Sequence, residues 1–352
     1  MKKFMILAAV AMLVGRASAA VRDTISLNAG WQFHLGELSG IEAVKNAKSE
    51  RVNLPHDFLI GQPWVEPDAS ERPDNSDAGS NVRSRLSPRG FKEMNVGWYR
   101  YVLTPKQEWK GRRVVLDFQG IMLVGDVWLN GKHIGKTDYG YLGFDTDISS
   151  ILKYDGDNEI IVKANTQQPN NSRWYTGGGL YRDVNIIVTD KKLYFPRHPL
   201  FIRTENNKKV KIQAEIACFN KVDNIPAEVK IYDANGEVVA QKKQNIVFNG
   251  KWRTREYELQ PIEIDNANLW SCESPYLYTA EVTLFDNQGN AVDQIREQFG
   301  VRTIEFSPDF GFKLNGKKVL LKGYANHHTL GALGAAAYPR AIEKRIQLMK
   351  SF

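Results

Sequence analysis

His56 and Asp57 stand side by side, and an imidazole next to a carboxylate has the make-up of an acid–base pair able to move a proton near neutral pH. A second candidate is the His327-His328 pair. It suits a metal poorly, because adjacent residues on an extended segment point in opposite directions and no other histidine or cysteine lies close in sequence. Gly131 followed by Gly135-Lys136-Thr137 has the residue types of a phosphate cradle, but the first glycine is one residue too close for G-x-x-x-x-G-K-[ST]. The segment also reads as a β-hairpin rather than a strand-to-helix turn. Gly177-Gly178-Gly179 is a tight turn on the same grounds. Cys218 and Cys272 would be permitted to bridge in an oxidising compartment, yet two buried free thiols are the expectation. Neither a metal nor a cofactor is expected from these groups.

The elements that must position such residues are almost all β. From Ser26 to about Asp190, short β-type runs alternate with turn residues, the pattern of a sandwich or barrel. Val114–Phe118, Asp126–Leu129, Asn158–Ala164 and Asp183–Val188 are expected strands, and Asn130-Gly131 supplies a type I′ hairpin turn. Asp68 to Gly90 is too polar to form core and is expected to be a long loop. Two prolines in Phe195-Pro196-Arg197-His198-Pro199 mark a boundary. Period-two alternation then resumes in Val210–Ile216, Ala227–Tyr232 and Thr279–Phe285, with a turn at Asn235-Gly236. That second unit suits an immunoglobulin-like sandwich without the Cys-Trp-Cys framework. After Arg302 come a strand-like Val319–Lys322 and a helix from Arg340, in which Ile342, Ile346 and Met349 recur at helical spacing beside Leu348.

Lys2-Lys3, the apolar run Phe4–Val14 and Ala17-Ser18-Ala19 form a secretory leader, too short to span a bilayer. Removing Lys2, Lys3 and Arg16 with it lowers the net charge of +7 by three. The remaining basic residues are scattered, so neither a nucleic-acid nor a membrane partner is expected. With no cysteine at the cleavage site for lipid attachment, the product is expected to be secreted, in a bacterium to the periplasm.

Several motifs carry a family resemblance across essentially the whole mature chain. They are Leu54-Pro55-His56-Asp57, Gly97-Trp98-Tyr99-Arg100, Val127-Trp128-Leu129-Asn130-Gly131, Trp174-Tyr175-Thr176-Gly177 with Leu180-Tyr181-Arg182-Asp183-Val184, Leu269-Trp270-Ser271, and Leu321-Lys322-Gly323 before His327. In this order they resemble the glycoside hydrolases grouped with β-galactosidase, β-glucuronidase and β-mannosidase. The resemblance implies a mainly β chain: a leader (1–19), a jelly-roll sugar-binding domain (20–192), an immunoglobulin-like β-sandwich (193–303), and the first strand-helix unit of a (β/α)8 catalytic barrel (304–352).

The same resemblance implies a retaining exo-β-glycosidase whose two catalytic glutamates sit on late barrel strands. No catalytic residue is therefore expected within 1–352, and the chain alone is expected to be inactive. Arg173 and Trp174 match the stretch that reaches to the barrel mouth. There an indole suits sugar C–H faces and a guanidinium suits hydroxyls or a uronic carboxylate. Trp174 as a plain interdomain packing residue is an almost equal alternative. His327 matches the histidine at the end of the first barrel strand, beside the sugar. Asn326, Thr329 and the apolar stretch Ala332–Ala337 depart from the commoner family pattern. His56-Asp57 is implied to be structural, a buried His-Asp hydrogen bond near the domain interface. The implied partner is an oligo- or polysaccharide with a terminal β-linked sugar, in an enzyme that could form a homo-oligomer. A stand-alone carbohydrate-binding remnant is the alternative.

Overall fold

The computed structural model describes residues 21–65, 92–167, 174–220, 222–248 and 253–352. The leader, Arg173 and the polar stretch from Asp68 to Gly90 lie outside the described residues.

Two sheets face each other in the first sandwich. One is six-stranded, in the order Glu50–Val52, Trp31–Leu35, Val96–Leu103, Asn158–Asn165, Val124–Leu129, Lys132–Thr137. The other is four-stranded, in the order Asp23–Ser26, Val184–Thr189, Arg113–Phe118, Phe144–Asp147. All neighbouring strands are antiparallel. Alternation sets the inward face: in Val124–Leu129 every second residue is buried, which puts Val127 and Leu129 beside Ile160 and Val162 in the core. Each such side chain contributes about 1.5–3 kcal/mol on full burial. The hairpin at Asn130-Gly131 has φ of +52° and +81°, so both central residues take the left-handed conformation that a type I′ turn demands. The glycine-lysine-threonine segment is thus the second strand of a hairpin.

The second sandwich pairs a sheet built on Lys209–Cys218 with a four-stranded one in the order Val238–Val247, Asn224–Tyr232, Tyr278–Phe285, Ala291–Phe299. Its core includes Ile212, Ile216, Val229, Ile231, Val282 and Leu284. Cys218 is buried there, whereas Cys272 is exposed and unpaired. The expectation of two buried thiols is corrected for Cys272, which sits in a turn outside the strands.

Ionic contacts fix the sandwiches together. Arg22 donates from Nε and Nη2 to both oxygens of the buried Asp293, at 2.9 and 2.8 Å, and Arg197 donates to Asp117 at 2.9 Å. Asp293 also accepts the Phe195 N–H at 2.7 Å, so the linker between the sandwiches is tied to the second one.

Beyond Arg302 a small antiparallel sheet of Ile304–Ser307, Gly311–Leu314 and Lys317–Lys318 turns at Asn315-Gly316. Residues 319–330 carry no strand. This corrects the strand expected over Val319–Lys322: the local sequence favours extension, but apart from the Val319 N–H, which donates to the Phe312 carbonyl at 3.0 Å, no neighbouring strand among the described residues pairs with its backbone. The helix runs from Pro339 to Lys350, with proline in its first turn, where a missing N–H costs nothing. Ile342, Ile346 and Leu348 on this helix are exposed, as are Leu320, Leu321 and Tyr324 before it. No helix among the described residues is long and apolar enough to cross a membrane.

Candidate functional site

Asp57 is the hub of the junction between the first sandwich and the C-terminal segment. Its carboxylate is buried and accepts four hydrogen bonds, with the Leu59 and Gly178 N–H groups on Oδ1 at 3.0 and 2.9 Å, and the Tyr175 hydroxyl and the Ala335 N–H on Oδ2, both at 2.7 Å. Donors converging on a buried carboxylate favour its ionised form, while burial opposes it. Burial is the larger effect and raises the Asp57 pKa above the usual carboxylate range.

The glycines beside it are needed for close approach. A Cβ on Gly177, at φ +80°, would lie 2.5 Å from the Ala335 Cβ and 2.8 Å from Asp57 Oδ2; one on Gly334, at φ +61°, would collide with the same oxygen. Of the three-glycine run, Gly177 therefore packs against the C-terminal segment while Gly178 and Gly179 pack within the first sandwich, and the Gly178 N–H is turned to a carboxylate rather than to a phosphate.

His56 points elsewhere. Its Nδ1 is 2.9 Å from the Tyr99 hydroxyl, its ring meets Phe33 edge-on, and burial pulls its pKa down to about 4. The expected hydrogen bond between His56 and Asp57 is absent, because consecutive side chains on an extended segment project to opposite sides. Both residues are structural. His56 serves the sandwich core, and Asp57 serves the junction.

Around this clasp an aromatic wall assembles. The Trp174 indole N–H donates to the Tyr141 hydroxyl at 3.1 Å, and its ring lies 4.8 Å from the His327 ring, tilted by 38°. His328 faces the other way: its Nε2 is 3.2 Å from the Thr176 carbonyl, its ring stands edge-on to Tyr141 and Tyr181, and burial lowers its pKa. Tyr181, pushed up to about 12 chiefly by burial, donates to the Gly140 carbonyl at 2.9 Å. Arg345 on the helix donates to the His327 carbonyl at 2.9 Å and to Asn326 Oδ1 at 3.3 Å. The histidine segment is thereby held between the sandwich and the helix.

Trp174 and His327, assigned from sequence to the same site, are thus in ring contact across the junction. Arg173 lies outside the described residues. Sequence reasoning missed the wall residue Tyr141 and the latch Arg345. Tyr139-Gly140-Tyr141, a pair of tyrosines flanking a glycine, was the available signal for the first. Trp174 is partly exposed and offers a neutral aromatic surface, since its only polar hydrogen is committed to Tyr141. His327 is exposed, and its ring nitrogens have no hydrogen-bond partner among the described residues, so they are open to a hydroxyl. No cluster of three or more histidine, cysteine, aspartate or glutamate side chains among the described residues could hold a metal.

Comparison with known proteins agrees with this architecture. Residues 91–182 match the sequence model of the glycosyl hydrolase 2 galactose-binding domain-like family, and residues 198–302 match that of glycosyl hydrolases family 2. The chain belongs to glycosyl hydrolase family 2. Among curated relatives, this family 2 chain is 29% identical over 346 residues to the β-galactosidase BoGH2A of Bacteroides ovatus, covering 94% of the chain and 37% of the relative. It is 28% identical over 345 residues to a β-glucuronidase of Bacteroides fragilis, covering 94% of the chain and 45% of that protein. A solved family 2 structure from Bacteroides cellulosilyticus superposes with a TM-score of 0.82 at 30% identity, over 93% of the chain and 41% of its own length. The family 2 chain therefore spans less than half the length of each of these relatives.

Proposed function

We propose that this chain forms the sugar-approach portion of a secreted retaining exo-β-glycosidase, acting on oligo- or polysaccharides that end in β-linked galactose, glucuronic acid or a related sugar. The observation that carries the reading is the contact between Trp174 and His327, which puts an indole face and an open imidazole, from two different parts of the fold, on one surface. Such a surface suits a pyranose, with C–H groups against the indole and a hydroxyl to the imidazole. Arg173, covalently next to Trp174, would add a guanidinium for hydroxyls or a uronic carboxylate. The acid/base and the nucleophile, carboxyl groups about 5–5.5 Å apart in retaining enzymes, would belong to the part of the relatives that this chain does not span. The uncovered Leu320, Leu321, Ile342 and Ile346 support that arrangement, since further strand-helix units of a barrel would cover them.

Purified 1–352 is expected to leave 4-nitrophenyl β-galactoside and β-glucuronide intact; measurable turnover would overturn the assignment of both carboxyls elsewhere. In a protein that includes the remaining barrel, Trp174→Ala is expected to raise KM more than it lowers kcat. The leader predicts a mature N-terminus at Ala20, read by N-terminal sequencing of exported protein.

The alternative, a carbohydrate-binding remnant working alone, is disfavoured by the same uncovered apolar residues, which a free-standing module would bury. Retention of 1–352 as a stable monomer on galactan resin would support it. Full-length enzyme is expected to bind no nucleic acid and to need no cofactor.

A further inference from the structure

A cleft of about 750 Å³ lies at the seam between the two sandwiches, lined by Arg112, Arg113, Lys191, Lys192, Tyr194 and Phe219 and by one carboxylate, Asp147, among others. It is remote from the Trp174–His327 surface. Arg113 begins the strand that ends at Phe118, and Gln119, just beyond that end, accepts a hydrogen bond from Arg182 next to Tyr181. At about 3.3 Å per residue the strand separates the two places by roughly 20 Å.

The cleft has an aromatic layer. Phe219 is exposed, and its ring lies 6.1 Å from that of Tyr194 at an interplanar angle of 22°, while the Arg113 guanidinium is 4.2 Å from the Tyr194 centroid. The two arginines are committed to the fold. Arg113 pairs with Asp145 and Asp147 at 3.7 and 3.3 Å, and Arg112 pairs with Asp23 at 3.6 Å and donates to the Val21 and Val188 carbonyls. Lys191 and Lys192 differ: both are exposed, and neither makes an ion pair among the described residues. Their backbone is nonetheless fixed, because Asp190 Oδ1 accepts the N–H groups of Lys192 and Leu193 at 2.7 and 2.8 Å.

An exposed phenyl face beside two unpaired ammonium groups, in a cleft between domains, matches a ligand that alternates C–H faces with negative charge. Single-stranded nucleic acid fits less well, since it calls for successive stacking platforms along an open groove and Phe219 is a lone exposed platform here. We propose that this cleft is an accessory binding site for an acidic polysaccharide, with a sugar face on Phe219 and carboxylate or sulfate groups on Lys191 and Lys192. The site holds a chain without cleaving it, and it does not depend on the glycosidase reading.

The test is calorimetric titration of 1–352 with polygalacturonate, dextran sulfate, neutral galactan and a single-stranded DNA oligomer. Binding is expected for polygalacturonate or dextran sulfate, the stronger of the two telling carboxylate from sulfate, and it should weaken as salt screens the lysines. The double variant Lys191→Gln/Lys192→Gln is expected to lower the affinity about tenfold or more, as is Phe219→Ala. Should Phe219→Ala fail to fold, the lysine pair decides, because both side chains are exposed. Unchanged affinity in the lysine variant, tighter binding of DNA than of either polyanion, equal binding of neutral galactan, or no binding of any polyanion overturns the proposal.

Discussion

Asp57 and Ala335, 278 residues apart in sequence, are joined by a 2.7 Å hydrogen bond from the alanine N–H to the carboxylate. Through it the stretch just before the C-terminal helix docks on the first sandwich, and the Ala335 side chain is buried with Met122 and Tyr181. The Ala337 N–H continues the contact by donating to the Tyr181 carbonyl at 2.9 Å.

Asp57→Ala removes the acceptor of four hydrogen bonds in a buried setting. Each stranded donor costs about 1–3 kcal/mol before relaxation and water entry. A loss of about 3–5 kcal/mol is expected in urea unfolding. Limited proteolysis should also cut first near residues 330–338, and a variant as stable and as resistant as wild type would refute the clasp.

Gly334→Ala attacks the same contact from the other side. The left-handed backbone and the collision with Asp57 Oδ2 act together, so about 1–3 kcal/mol should be lost, with faster hydrogen exchange at the Ala335 N–H. An unaltered exchange rate would mean that the segment is not seated there.

His56 makes the sandwich sensitive to acid. Its folded pKa, about 4, lies below the ordinary histidine value of 6.5, so the unfolded chain takes up the proton first. The stability this group contributes is complete above pH 6.5 and is lost as pH falls towards 4, by an amount on the order of 3 kcal/mol. The raised pKa of Asp57 works in the opposite sense, its contribution declining as pH rises through the carboxylate range. Comparing wild type with His56→Gln by denaturant titration at pH 7.5 and 5 isolates the histidine. The variant should lose less stability between the two.

The thiols should separate by reactivity. Cys272 is exposed and Cys218 is buried, its pKa raised by that burial. A disulfide reagent should titrate one thiol in the native protein and a second only in denaturant.

Arg345→Ala should free the histidine segment from the helix. Its two hydrogen bonds to residues 326 and 327 are exposed, so global stability should change by less than about 1 kcal/mol while exchange in 324–330 rises.

Local chemistry made much of this fold legible. The alternation in Lys209–Cys218 shows directly as alternate burial, and Asn130-Gly131 and Asn315-Gly316 specify their turns through positive φ. Partnership across distance was not legible. Nothing adjacent to His56 shows that its nitrogen meets Tyr99, 43 residues on, and nothing adjacent to Asp57 points to Ala335. The Val319–Lys322 segment shows the converse: its residues favour extension, but a strand is a property of two segments, and beyond the single bond from the Val319 N–H to the Phe312 carbonyl none among the described residues pairs with it. The contact of Trp174 with His327 could be anticipated only through motifs whose order resembles a family, because two rings so far apart in sequence leave no periodic trace.

The spacing of the Asp57 bonds also has a temporal reading. The Leu59, Tyr175 and Gly178 donors lie at most 121 residues from the acceptor, within the first sandwich, whereas Ala335 is 278 residues away, so closing the last loop costs the most chain entropy. Loop closure thus favours forming the three nearer bonds first, with Oδ2 still able to accept a further donor. The C-terminal segment then arrives last, at an acceptor that the first sandwich has already positioned.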